Sequence, residues 1–220
     1  MEAEEVQVVE EPPKKSGTIS RGITELMKTA LLAALIFTLA RTVVLPFEVE
    51  GSSMSPNLQN GERVLVNRSV YYHFDLYDVI NMIPGTNWDG DHEIFLFHSP
   101  ERGEILVLNP PVETQKPYIK RLIAESGEHI SFRDGYVYID GERLEESYVT
   151  EGNTFCRGQF CDMTVPDGYV YVLGDNRANS QDSRYFGPVK IENIIGKAWF
   201  ANWPLDDFGR LPHYNYDVDG

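Results

Sequence analysis

Two short stretches of the chain carry the side chains best suited to covalent chemistry. The first, GSSMSPNL at residues 51–58, holds three serines, with Ser53 between a serine and a methionine. A serine hydroxyl is a weak nucleophile and needs a neighbouring base to activate it. The serine-hydrolase elbow Gly-x-Ser-x-Gly is absent here, because Ser55 occupies the place of the second glycine. The five histidines lie in ordinary contexts, so a histidine base is open but unsupported.

The second stretch offers another kind of base, a lysine that burial keeps neutral. Lys120 lies in the strand-like run YIKRLIA, where alternation places it on one face with Tyr118 and Leu122 and places Arg121 on the other. A lysine that faces a core is rare unless it is paired or functional. Burial in an apolar site lowers the pKa of a lysine and lets its amine act as a base. The competing interpretation, which spacing alone favours, is an edge-strand lysine that points to water.

A third stretch, LGDNRANSQDSRYFGPV at residues 173–189, is polar and rich in charged side chains. Its charged side chains lie among small residues, and the stretch can be interpreted in two ways. One is a surface loop held by salt bridges. The other is a rigid shelf that presents hydroxyl groups to an active site. The charged residues concerned are Asp175, Arg177, Asp182 and Arg184.

Composition limits the class of protein. The 220 residues suffice for one large or two small domains, and 42% hydrophobic residues exclude a disordered chain. The net charge of −15 argues against a nucleic-acid partner. His92 lies among carboxylates, which we interpret as a solvated acidic loop, so no metal is expected. The two cysteines, Cys156 and Cys161, would be thiols or half of a metal site in a reducing compartment and would close a short loop in an oxidising one.

The N-terminal region has the pattern of a membrane anchor. A polar segment at residues 1–22 is predicted to be disordered, and residues 23–47 are predicted to form one transmembrane helix. Arg41 lies near the end of the apolar run and can extend to the lipid headgroups, and Pro46 fits the end of the helix. A cleaved signal peptide and a buried core helix are the alternatives.

Positive charges before the apolar run indicate the orientation of this helix. They predict a cytoplasmic N-terminus and an extracytoplasmic domain at residues 48–220, attached to the plasma membrane by a single pass. Cys156 and Cys161 would then form a disulfide. The charges concerned are Lys14, Lys15, Arg21 and Lys28.

Beyond residue 48 the sequence is typical of a β protein. Short alternating runs are separated by turn signals such as Asn-Gly, Pro-Gly and Asp-Gly. The prediction is a mostly β fold, with antiparallel sheets that form a distorted, barrel-like catalytic domain. Residues 72–99 are aromatic and irregular and are predicted to be an insertion.

Taken together and in order, these motifs resemble the bacterial type I signal peptidases, the serine-lysine dyad leader peptidase family. The resemblance spans about residues 25–205. One of its blocks matches the family's Arg-Gly-Asp strand, with Glu104 in place of the aspartate. The four matching blocks are GSSMSPNL at 51–58, RGEILVLNPP at 102–111, YIKRLIAESGEHI at 118–130 and GDNRANSQDSRYFGPV at 174–189.

The resemblance implies a membrane-anchored serine endopeptidase that removes signal peptides from secreted preproteins at Ala-x-Ala sites, beside the lipid bilayer and without a metal or cofactor. Ser53 falls on the nucleophile, Lys120 on the general base and Ser180 on the hydroxyl that orients the lysine amine. Asp182 and Arg184 fall on an ion pair beneath the site.

The other residues take supporting roles. Asp175 and Arg177 are expected to be structural. Apolar residues around the dyad would form shallow pockets for small side chains, namely Phe47, Val49, Met54, Leu58, Tyr118 and Ile119.

Two departures from the family pattern concern the nucleophile turn. Some members carry a serine two residues before the nucleophile, where its hydroxyl helps to bind the oxyanion, but this chain has Gly51. The oxyanion would then be bound by the Ser53 backbone N–H and a second donor, each typically worth about 3–4 kcal/mol. Asn57 stands where threonine is common.

Two other functions compete with the peptidase. One is a self-cleaving regulator of the repressor type with the same serine-lysine chemistry; the apolar helix and the lack of a DNA-binding domain argue against it. The other is an inactive, membrane-anchored β module that binds partners. An inactive module would have lost the serine or the lysine, and this sequence holds both.

Overall fold

The computed structural model describes residues 16–71, 73–75, 81, 93–95, 98–114, 116–149, 154–212, 214 and 216. The chain divides into two units, Met1–Thr42 and Val43–Gly220. The first contains one long helix and the second contains all of the described strands.

The helix, α1, runs over Ser16–Val43. Its part Gly22–Val43 is 22 residues long with a mean hydropathy of 1.7, which is long and apolar enough to cross a membrane. Its described apolar side chains, such as Leu31 and Phe37, are exposed, unlike those of a helix buried in a soluble core. This exposure favours the membrane-anchor prediction over the core-helix alternative.

Both predicted boundaries of the helix need correction. The predicted disordered tail reached residue 22, but the helix already begins at Ser16, and residues 1–15 lie outside the described part of the chain. At the other end the helix stops at Val43 instead of Phe47, and Val44–Glu48 forms strand β1. Pro46 explains the early end, because proline has no N–H for a helical hydrogen bond and disfavours helix in the residue before it.

The second unit is mostly antiparallel β structure. The strands after β1 are β2 Arg63–Asn67, β3 His73–Asp75, β4 Glu93–Phe95, β5 Ile105–Leu108, β6 Tyr118–Ala124, β7 His129–Arg133, β8 Tyr136–Ile139, β9 Glu142–Arg143, β10 Asp162–Thr164, β11 Tyr169–Leu173, β12 Val189–Lys190, β13 Ile194–Trp203 and β14 Gly209–Arg210. A short helix, α2, covers Ser183–Phe186, and two 3₁₀ turns cover Ile191–Asn193 and Leu205–Asp207.

One large sheet forms the body of this unit. Its eight strands follow the order β1-β2-β13-β5-β6-β11-β12, with β14 added to β13, and the sheet curls into a half-barrel. A four-stranded sheet has the order β10-β7-β8-β9. The predicted mostly β, barrel-like fold is confirmed. In the predicted insertion, β3 and β4 pair with each other, and most of its remaining residues lie outside the described part of the chain.

Local sequence explains the hairpins of the smaller sheet. Asp134 and Gly135 connect β7 to β8 with φ angles of 52° and 82°. Two successive positive φ angles are the signature of the tight turn that suits paired strands, and Asp-Gly is a favoured sequence for it. Asp140 and Gly141 repeat the arrangement between β8 and β9.

The centre of the large sheet is buried on both faces. Every residue of β5 and all but the first residue of β6 are buried. Polar side chains on either face of β6 therefore need partners inside the protein. This burial is the basis of the candidate site.

Candidate active site

The hydroxyl of Ser53 and the amine of Lys120 lie in direct contact. Lys120 Nζ donates a hydrogen bond to Ser53 Oγ at 2.7 Å and another to the Ile119 carbonyl at 2.9 Å. Ser53 is in the turn that follows β1, and Lys120 is in β6, which lies between β5 and β11. Lys120 is only 3% exposed, so the interpretation of an edge-strand lysine in water is wrong. The contact brings a hydroxyl and an amine within the distance that proton transfer needs.

Burial sets the pKa of this lysine. Desolvation disfavours the ammonium form and lowers the pKa of Lys120 to about 8, although the carboxylates of Asp182 and Asp175 act in the opposite direction. The Tyr118 ring covers the amine, with Nζ 5.2 Å from its centroid. A substantial fraction of Lys120 is therefore neutral at mildly alkaline pH and able to accept a proton.

The side chains that flank Ser53 fix the nucleophile turn. Met54 and Leu58 are fully buried in a core with Val49 and Ile119. Their packing holds the turn against the sheet and leaves Ser53 partly exposed. A rigid turn keeps the hydroxyl in a geometry suited to attack.

The loop that follows β11 clamps the turn from the other side. The Asn176 N–H donates to the Ser53 carbonyl at 3.0 Å, and its Nδ2 donates to the Ser52 carbonyl at 3.1 Å. Asn179 Nδ2 donates to Ser52 Oγ at 2.7 Å. The polar stretch at 174–189 is therefore a shelf beneath the serines.

A buried ion pair ties the turn to the lysine strand. Arg121 Nε and Nη2 donate to the two oxygens of Asp175 at 2.8 and 2.7 Å, and both side chains are fully buried. The second oxygen of Asp175 also accepts from Asn57 Nδ2 at 2.9 Å. The departure at Asn57 thus has a structural role, because its amide links the nucleophile turn to the neighbour of Lys120. Sequence reasoning missed this pairing.

A second ion pair organises the end of the shelf. Asp182 accepts from Arg184 Nε at 2.8 Å and Nη2 at 2.9 Å, caps the N-terminus of α2, and accepts from the Gly174 N–H at 3.1 Å. Arg184 Nη1 also donates to the Phe155 carbonyl at 3.0 Å. Phe155 precedes Cys156, which forms a disulfide with Cys161.

Arg177 pairs outside its own loop. Its guanidinium contacts the Glu146 carboxylate and donates to Thr154 Oγ1 at 2.7 Å. It thereby attaches the shelf to the segment after β9. We find no direct contact of Arg177 with either member of the dyad among the described residues.

Ser180 lies at the site, but its hydroxyl forms no hydrogen bond with Lys120. Its side chain is 9% exposed, and its Oγ has no hydrogen-bond partner among the described residues. It packs against Gly174, where an added Cβ would lie 2.2 Å from Ser180 Oγ and 2.5 Å from the Ser53 carbonyl oxygen. The role of Ser180 in orienting Lys120 therefore stays a prediction.

An apolar cleft opens beside the dyad. It has a volume of about 460 Å³, and the predicted residues Phe47, Tyr118 and Ile119 line it. The other predicted wall residues, Val49, Met54 and Leu58, do not line it because their side chains are buried in the core under the turn. The remaining lining residues are Pro46, Glu48, Glu50, Ser53, Lys116, Pro117, Lys120 and Gln181.

The backbone at Gly51 explains why no serine stands there. Its φ of 84° lies in the left-handed region, which side chains other than glycine rarely adopt. Its N–H donates to Asn60 Oδ1 at 2.7 Å. The Ser53 N–H makes no hydrogen bond within the described part of the chain and is free to donate to an oxyanion.

One group of potential metal ligands lies away from the dyad, at His98, Glu101 and Glu104. The buried Glu104 carboxylate is already bonded to the Tyr71 hydroxyl, the Lys197 ammonium and His98 Nε2. Burial alone would raise the pKa of Glu104, but the hydrogen bonds from Lys197 and Tyr71 outweigh it and lower that pKa. The group is therefore a hydrogen-bonded network that anchors β5. His92 lies outside the described residues.

Comparisons with known proteins show what this chain is similar to. Residues 23–203 match the family described as signal peptidase, peptidase S26. The chain is 33% identical over 198 residues to probable signal peptidase I-1 of Synechocystis sp., covering 87% of this chain and 86% of that protein. It is 33% identical over 190 residues to signal peptidase I T of Bacillus subtilis, covering 82% and 85%. A solved signal peptidase I from Enterococcus faecalis is 34% identical, with a TM-score of 0.39 over 46% of this chain and 97% of that one.

Proposed function

This chain belongs to the signal peptidase family S26, and we propose that it is a membrane-bound serine endopeptidase that removes N-terminal signal peptides from translocated preproteins. Ser53 is the nucleophile and Lys120 the general base. The observation that carries the assignment is the 2.7 Å hydrogen bond from the buried Lys120 amine to Ser53 Oγ.

The mechanism follows from this contact. Neutral Lys120 accepts the Ser53 proton as Oγ attacks the carbonyl carbon before the scissile bond. The resulting ammonium protonates the leaving amine, and water then hydrolyses the acyl-enzyme by the same route. The free Ser53 N–H stabilises the oxyanion. Ser180, buried beside Gly174, is assigned the orientation of the Lys120 amine.

The apolar cleft is assigned to the end of the signal peptide. Phe47, Tyr118 and Ile119 line an apolar space next to Ser53. An apolar lining favours apolar side chains before the cut, and the alanines of an Ala-x-Ala site are of this kind.

Membrane attachment is assigned to α1. Its 22-residue apolar span, Gly22–Val43, leads through one strand and one turn to Ser53, which supports cleavage close to the bilayer. The disulfide between Cys156 and Cys161 supports an oxidising compartment for residues 48–220 and hence a cytoplasmic N-terminus.

The direct test is cleavage of a preprotein by the detergent-solubilised full chain, followed by sequencing of the new N-terminus. We expect one cut after an Ala-x-Ala site. The control is the Ser53→Ala variant purified in parallel. Absence of cleavage by the unaltered protein, or equal cleavage by the variant, would refute the function.

The pH dependence tests the neutral-lysine mechanism. Because burial lowers the pKa of Lys120 to about 8, the neutral base is the minor form below that pH. We expect kcat/KM to fall about tenfold per pH unit as the pH drops below about 8 and to level off above it. The measurement is kcat/KM from pH 5.5 to 9.5, on a peptide without titratable side chains near the cut. A flat profile would indicate a carboxylate base, and one that falls only below about pH 6.5 would indicate a histidine base. A profile that rises toward acid would exclude the neutral-lysine mechanism.

A further inference from the structure

A second cleft also borders Ser53. It has a volume of about 570 Å³, within the range of about 300–1,000 Å³ that is typical of ligand sites. It shares only Ser53 and Gln181 with the apolar cleft. Its lining residues are Gly51, Ser52, Ser53, Ala178, Asn179, Ser180, Gln181 and Tyr185.

The two clefts differ in chemistry. The apolar cleft is walled by Phe47, Tyr118 and Ile119. The second cleft has no charged side chain in its lining and offers hydroxyl and amide groups instead. Tyr185 stands at this cleft 69% exposed, although a tyrosine ring gains free energy from burial against a partner.

A peptide whose scissile carbonyl lies on Ser53 must extend in both directions from it. The residues before the cut belong to the signal peptide, and their small apolar side chains fit the apolar cleft. The residues after the cut begin the mature protein and must leave Ser53 by another route, and the second cleft offers a separate space that borders this residue.

We propose that the second cleft is a subsite that binds the first residues of the mature protein and prefers uncharged polar side chains there. The inference rests on the proposed function. On this proposal the second cleft selects among residues after the cut, whereas the apolar cleft selects among residues before it.

The geometry of Asn179 and Ser52 supports this role. Asn179 Nδ2 donates to Ser52 Oγ at 2.7 Å, which leaves the Ser52 hydroxyl proton free for an acceptor on the peptide. The backbone N–H of Asn179 donates to the Asn176 carbonyl at 3.0 Å, so the backbone that carries the Asn179 side chain is held before substrate arrives. Fixed donors and acceptors bind a peptide backbone at a lower entropic cost than mobile ones.

Charge complementarity sets the selectivity. An acidic side chain after the cut would meet no cation in the lining, on a protein whose net charge is −15. Serine, asparagine or glutamine can exchange hydrogen bonds with Ser52, Asn179 and Gln181. Uncharged polar residues are therefore favoured over aspartate and glutamate.

Transfer of the acyl group from Ser53 to an added amine measures binding at this subsite separately from binding of the residues before the cut. A peptide methyl ester that ends in alanine acylates Ser53 and releases methanol, whose proton comes from Lys120. An added amino-acid amide then competes with water: its nitrogen bonds to the acyl carbon, its proton passes to Lys120, and Ser53 Oγ leaves and is reprotonated. The ratio of aminolysis to hydrolysis reports how well the amine occupies the leaving-group side. The ratio does not depend on the concentration of active enzyme.

We expect aminolysis by serinamide and asparaginamide to saturate with concentration and to exceed aminolysis by aspartic acid α-amide at equal concentration of free amine. Tyr185→Ala and Asn179→Ala should each lower the aminolysis ratio about tenfold. The matched control, Asn109→Ala, removes an exposed amide that lines neither cleft and should leave the ratio unchanged.

The outcomes separate the two proposals. If the unaltered protein hydrolyses neither the ester nor a preprotein, the proposed function itself fails. If it hydrolyses both, but the aminolysis ratio rises linearly, is the same for all amides and is unchanged in the Tyr185 and Asn179 variants, the second cleft is only a path for solvent and the subsite is refuted.

Discussion

Replacement of Lys120 by arginine is expected to lower kcat/KM for preprotein cleavage by at least about four orders of magnitude, as does the loss of a catalytic base in other serine peptidases. A guanidinium stays protonated throughout the working pH range and cannot accept the Ser53 proton. Charge and approximate length are retained, so the variant tests basicity more than contact. Initial rates on a preprotein, with Ser53→Ala as the reference for complete loss, measure the effect.

Two further variants make the Lys120 result interpretable. Lys120→Met removes the charge at similar volume, and a thermal unfolding midpoint close to that of the unaltered protein would show that its inactivity is chemical. Lys190→Arg makes the same substitution at an exposed strand position that lines neither cleft, and it should stay active. Near-normal turnover by Lys120→Arg would exclude Lys120 as the base.

The contact between Ser53 and Lys120 was expected from the family resemblance of the motifs that hold them. Spacing alone favoured a lysine that points to water, because an apolar strand can lie at the edge of a sheet as well as inside it. What the sequence could not show is that β6 is buried on both faces. Alternation assigned Arg121 to the side away from the site, yet Arg121 is buried as fully as Lys120 and binds Asp175.

The pairing of Arg121 with Asp175 illustrates a general limit of prediction from sequence patterns. The two residues are 54 positions apart and meet only because β6 pairs with β11. No local periodicity encodes which loop carboxylate meets which arginine, and the sequence alone did not pair Arg177 with Glu146 either. Removal of one partner of such a buried pair typically costs about 3–5 kcal/mol, because it leaves the other charge buried and unpaired.

Three of the predicted wall residues do not line the apolar cleft. Val49, Met54 and Leu58 have the right chemistry for a pocket wall, but apolar side chains beside a reactive serine can face either substrate or core. In this chain they pack in the core under the turn. The early end of α1 was also hidden by local chemistry. Val44 continues the apolar run of the helix, and only the pairing of β1 with β2 shows that this residue belongs to a strand.

Gly174 gives the second prediction with a large expected effect. Built onto its backbone, a Cβ would lie 2.2 Å from Ser180 Oγ, 2.5 Å from the Ser53 carbonyl oxygen and 2.6 Å from Ser180 Cβ. Real Cβ atoms do not approach other heavy atoms this closely, so an alanine must displace the nucleophile turn, the shelf or both. A displacement of about 1 Å can cost about 100-fold in rate. We therefore expect Gly174→Ala to lower kcat at least 100-fold.

The atoms nearest to an added Cβ at Gly174 differ in how easily they can move. Rotation of the Ser180 side chain would relieve one contact, but the Ser53 carbonyl belongs to the backbone and is held by the Asn176 N–H, so that second contact remains in Gly174→Ala. Gly209→Ala is the matched control, since a Cβ at Gly209 meets nothing within 4 Å. The control should retain activity, and the Gly174 variant should also unfold at a lower temperature, by the equivalent of about 1–3 kcal/mol for an overpacked site. Activity of Gly174→Ala within a factor of about three of the unaltered protein would mean that the shelf does not hold Ser53 as described, since a shift of about 1 Å should cost far more.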